Sequence, residues 1–179
     1  EAARIFDNIV KVINNNANSE YRGFGIHSFL YVIDDFLKGD YMPKNVFDFL
    51  CNVVLNVKES KIKAEDVKEK DIYNTAINQA RGHAAYMLVE CYRFREYQDE
   101  IFETLENIAS TASVYTRSAI LLNMALLNHL DQQRNVLLFK MLLHDYDERL
   151  LAMPIHNYNP LVYFINYAVD DILDVFVHA

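Results

Sequence analysis

Six histidines, His27, His83, His129, His144, His156 and His178, are the first place to look for metal or general-base chemistry, and no two stand four residues apart. A helix-borne zinc site needs such a pair, and no HExxH motif is present. His144, with Asp145 and Asp147 close by, is the densest group of potential ligands, and it reads as a polar turn between helices. Asp34–Asp35 and Asp170–Asp171 are sequence neighbours. On a helix, neighbours project to different faces, which is poor geometry for a carboxylate dyad. Gly23 and Gly25 in Arg22–Gly23–Phe24–Gly25 lack the third glycine and the preceding strand of a dinucleotide site, and no GxxxxGK[ST] loop occurs. Cys51 and Cys91 have no CxxC partner. Each lies in an apolar periodic run, so both read as buried free thiols, in keeping with a reducing compartment. The expectation is a chain with no catalytic, cofactor-binding or metal-ligating residue of its own, and no cofactor.

Two other sets of residues carry recognition or packing chemistry. The chain holds 12 Tyr and 11 Phe. Tyr146, Tyr158, Tyr163 and Tyr167 crowd around the turn Pro154–Pro160, where they serve either as packing between thin helical layers or as a partner-binding patch. Arg81, Arg117 and Arg149 each sit just before an apolar run. A guanidinium there can fork to carboxylates or to helix-end carbonyls and fix the angle between neighbouring elements.

The elements that position these residues read as helices. Four Gly and three Pro in 179 residues leave too little turn punctuation for an all-β chain, and 52% hydrophobic residues are enough for a core. Apolar spacing predicts helices over 2–13, 20–38 and from Pro43 to about 57, with Gly39–Asp40 ending the second. A long helix follows over 71–95 on Ile77, Ala80, Ala84, Leu88 and Cys91. Further helices are expected over 97–110, 113–129 with Ser113 as cap, 132–144, 146–153, and from Pro160 to the end. The 113–129 helix is apolar around much of its circumference and so belongs in the middle of a stack. Residues 58–71 hold five Lys and five acids among 14 and read as a charged linker. That divides the chain into a helical N-terminal part, 1–57, the linker, and a second helical part, 72–179.

A net charge of −8 runs opposite to what phosphate neutralisation requires, which argues against a nucleic-acid partner. No apolar run approaches the ~20 residues that cross a bilayer, so no membrane is expected. The chain opens at Glu1 in a helical pattern and stops in an apolar run, and both ends read as cuts in a longer polypeptide.

The second half has a period. Arg81, Arg117 and Arg149 stand 36 and then 32 residues apart, each early in a helix that turns apolar behind it. This pattern resembles HEAT and armadillo repeats, which implies an all-α fold, a right-handed α-α superhelix of stacked helix pairs, with the three arginines as inter-repeat contacts. The aspartate usual six residues before that arginine is Thr75 and Thr111 here, and Asp145 lies four before Arg149. The N-terminal part has no matching arginine and is expected to be a diverged repeat or a cap.

Residues 76–177 are also similar to the helical C-terminal sensor arrays of large bacterial STAND-type NTPases, some of them antiphage-defence proteins. The similarity lies in Ala80–Arg81–Gly82–His83–Ala84–Ala85, Tyr115–Thr116–Arg117–Ser118–Ala119, Asn135–Phe139, His144–Leu151 and Leu161–Phe164. It implies a cytoplasmic, non-catalytic arm that senses a protein or peptide and releases an NTPase encoded upstream. A HEAT-type nucleic-acid-processing enzyme and a helical oligomerisation module are the alternatives.

Overall fold

The computed structural model describes residues 2–15, 22–59, 72–145, 147–151, 164 and 167–177. They form an all-helical chain, with no strand among the described residues. The helices are α1 (Ala2–Asn15), α2 (Arg22–Leu37), α3 (Lys44–Asn56), α4 (Ile72–Ile77), α5 (Ala80–Glu90), α6 (Gln98–Ala109), α7 (Val114–Asn123), α8 (Gln132–Leu142), α9 (Glu148–Leu151) and α10 (Val169–Val177). Short 3-10 turns, Cys91–Arg93 and Arg95–Tyr97, join α5 to α6, and a longer one, Met124–His129, continues α7.

The amphipathic faces decide what packs on what. In α1, Phe6 meets Phe29 of α2 and Phe49 of α3, with ring centroids 5.0 and 5.8 Å apart. Ile26, Leu30 and Ile33 of α2 and Val46, Phe47, Leu50 and Val54 of α3 are fully buried beside them. At i, i+3, i+4 and i+7 spacing they are the apolar stripes that the sequence carries. Helix α5 is the hub and packs against α2, α3, α4, α6 and α7. Two rows run through the molecule. In one, α2 packs on α5, α5 on α7 and α7 on α9; in the other, α1 packs on α3, α3 on α6, α6 on α8 and α8 on α10. The rows touch through α1 with α2, α3 with α5, α5 with α6, and α7 with α8.

Helix α7 is buried along almost its whole length, Arg117 and Ser118 included. Ser113 caps it by accepting a hydrogen bond from the Thr116 amide, and Asp131 caps α8 through the Arg134 amide.

Two of the expected helices are interrupted. The run over 71–95 breaks at Asn78–Gln79, where Gln79 is extended (φ −109°, ψ 140°) and starts α5 afresh. The corner is tight. A Cβ on Gly82 would lie 2.3 Å from the Ala76 carbonyl oxygen, so only glycine lets α4 fold back on α5. The run over 113–129 changes from α-helix to 3-10 at Met124. The buried Asn135 side chain donates to the Met124 carbonyl at 2.8 Å, where the helix type changes. Cys91 is buried and Cys51 half-buried, both as free thiols, and burial pushes both thiols up in pKa.

Candidate functional site

The three arginines singled out by their spacing occupy different surroundings. Arg81 Nε donates to the Val54 carbonyl in the last turn of α3 at 2.7 Å, and its Nη1 lies 3.4 Å from Glu59. Glu59 also accepts from the Thr116 hydroxyl at 2.6 Å, which ties the residues after α3 to the start of α7. Arg117 Nη1 donates to the Leu142 carbonyl, the last of α8, at 2.8 Å. Its two terminal nitrogens also grip Asp145 at 2.7 and 2.8 Å. Helix-end carbonyls carry partial negative charge, so a cation there is doubly placed. Arg149 instead pairs with Asp147, two residues before it, at 2.6 and 2.9 Å.

Two arginines of the same kind lack the period and were not singled out by sequence. Arg93 donates to the Leu37 carbonyl at the end of α2, at 2.8 Å. Arg134 of α8 grips Glu106 of α6 at 2.7 and 2.8 Å over the Phe102 ring.

The group around His144 is committed elsewhere. Asp145 belongs to Arg117, Asp147 to Arg149, and His144 Nδ1 lies 3.0 Å from the Met141 carbonyl. Tyr167 is partly exposed, its hydroxyl bonded to Asn128. Tyr146, Tyr158 and Tyr163 lie outside the described residues, as does all of the charged stretch after Glu59.

The arrangement with most chemical character is a cleft of about 530 Å³ where α4, α5 and the end of α7 meet. Tyr73 comes from α4, Tyr86 and Glu90 from α5, Tyr92 from the 3-10 turn behind it, and Asn123 from the end of α7. Leu122 and Leu126 add apolar wall. The Tyr73 and Tyr86 rings stand 6.3 Å apart, inclined at 56°. Tyr92 is held from behind by His129, with ring centroids 5.6 Å apart. The Asn123 amide donates to the Glu90 carboxylate. Burial raises the Glu90 carboxyl above its ordinary pKa. Burial, and then the Glu90 charge, push the Tyr86 phenol up to about 12. Among the described residues no lysine or arginine pairs with Glu90, and none of them forms a cluster of three histidine, cysteine or acidic side chains fit to hold a metal.

No known protein family matches this chain, and no curated protein or solved structure does so either. No described helix is long and apolar enough to cross a membrane.

Proposed function

We propose that this chain is a non-catalytic recognition segment, an α-α superhelix of the HEAT/armadillo kind, which binds a protein or peptide in the cleft formed by α4, α5 and the end of α7. The superhelical reading draws its support from the two rows of helices, α2–α5–α7–α9 and α1–α3–α6–α8–α10, that pack on one another in chain order. One helix pair cannot cover its apolar face alone, and stacking shares a continuous core between pairs. The likeness of residues 76–177 to STAND-type sensor arrays supports a place in a longer cytoplasmic polypeptide whose NTPase the segment controls.

One observation carries the recognition reading. Three tyrosines and a carboxylate with no basic partner among the described residues line one concave space, backed by leucines. Aromatic rings with a few converging polar groups are the usual lining of a binding site. Tyrosine also gives large contact area for little conformational entropy.

A peptide-display selection against the immobilised chain tests this. Enriched peptides are expected to bind one to one with micromolar affinity. The Tyr86→Leu/Tyr92→Leu double variant is expected to keep its helical circular dichroism and to lose about tenfold or more in affinity. Peptides that bind the double variant as well as the native chain would place recognition on another face.

A further inference from the structure

We infer that the cleft takes an aliphatic ammonium group, the end of a lysine side chain in a peptide partner. The inference rests on the reading of the cleft as a recognition site and adds the chemistry of what enters it. Glu90 sets the sign. It is half-buried, the Asn123 amide donates to it, and it shares a hydrogen bond with the Tyr86 hydroxyl. A carboxylate so placed repels an anionic ligand and gains from a cation.

Glu90 is the last residue of α5 and Asn123 the last of α7, each helix running on into a 3-10 turn, so both side chains are held at the ends of packed helices. The charge of Arg93, in the turn that continues α5, acts on Glu90 through space and without an ion pair. Arg93, the arginine nearest in sequence, spends its guanidinium on the Leu37 carbonyl. Asn123 uses its amide nitrogen on Glu90, and its carbonyl oxygen is an acceptor, the polarity an ammonium needs.

The rings choose among cations. A cation within about 6 Å of an aromatic centroid is attracted by the ring's electron-rich face. Tyr73 and Tyr86 are inclined at 56°, so a flat guanidinium can lie on one ring, as Arg134 lies on Phe102, but finds no parallel slot between the two. A compact ammonium needs none.

The test is an NMR titration of the whole chain carrying 13C-labelled tyrosine. The probes are the Nα-acetyl methylamides of lysine, Nε-trimethyl-lysine, arginine and norleucine. Both ammonium probes are expected to shift the Tyr73, Tyr86 and Tyr92 ring signals saturably, at least about tenfold more tightly than norleucine. The order of the two separates an unmodified from a methylated lysine as the source. Glu90→Gln is expected to remove about tenfold of the ammonium affinity and none of the norleucine affinity. The charged-versus-neutral comparison on the native chain stands without that variant. Equal binding of norleucine would overturn the ammonium inference and leave an apolar recognition cleft standing. Tighter binding of arginine than of either ammonium probe would overturn it as well. Silence of the three tyrosines toward every probe would overturn it too, while peptides selected by display that still depend on Tyr86 and Tyr92 would keep the recognition reading.

Discussion

Arg117 shows how a single side chain can join three parts of the molecule. Its guanidinium is 5% exposed and is shared between the Leu142 carbonyl and both oxygens of Asp145. The hydrogen bond from Arg117 is the first cause that holds the Asp145 carboxyl down at about 2. A depressed carboxylate stabilises the fold fully above its unfolded value, near 3.9, and the contribution disappears as pH falls through the folded value. Asp145→Asn is therefore expected to cost roughly 1 kcal/mol at pH 6, a modest figure because Asp145 is partly exposed and screened by solvent. The difference between the native chain and the variant should shrink between pH 4 and pH 2, and urea denaturation of both across that range reads it. A difference that stays constant with pH would mean the pair contributes through packing alone. The spacing of Arg81 and Arg117 made them visible in the sequence. What each would touch was not, because Val54, Leu142 and Asp145 become neighbours only once helices from distant segments have packed. Glu59 lay hidden for the same reason. It stands in a run of alternating charge that reads as solvated, and its partners are the half-buried Arg81, 22 residues on, and the buried Thr116, 57 residues on.

At the scale of elements, the corner between α4 and α5 is the feature that builds the cleft. The apolar pattern Ile77, Ala80, Ala84, Leu88 and Cys91 runs through the break at Asn78–Gln79 without losing register, so periodicity alone draws one long helix there. Gly82 is the residue that marks the corner, since the Ala76 backbone lies where its Cβ would be. Alanine is the better helix former by about 0.8–1.0 kcal/mol, which would favour Gly82→Ala on an open surface. Here the clash is with backbone, which cannot swing aside, and overpacking of this kind costs about 1–3 kcal/mol. Gly82→Ala is expected to destabilise the chain, and to weaken ligand binding as well because Tyr73 rides on α4. Thermal denaturation and the tyrosine titration check the two halves of that expectation. An alanine variant as stable as the native chain would show that α4 is free to shift. The same break explains why the cleft could not be read from sequence. Tyr73 and Tyr86 stand on opposite sides of the corner, and with one continuous helix between them they have no reason to face a common space. The tyrosines crowded near the C-terminal end carry the stronger sequence signal.

At the scale of the whole molecule, few glycines and prolines and apolar residues in helical periods settled the helical class. The two rows meet at α5, which touches both and carries two of the cleft's lining residues, Tyr86 and Glu90. A ligand held by α4, α5 and the end of α7 therefore sits where movement of one pair relative to the next would be felt. That place suits the recognition role proposed above. The direct test of this account is an isotope-filtered NOE spectrum of the labelled chain with the Nε-trimethyl-lysine probe. Contacts are expected from the probe's N-methyl protons to the ring protons of Tyr73, Tyr86 and Tyr92. Contacts to the exposed face of α2, at Phe24 and Tyr31, with none to those three rings, would contradict it.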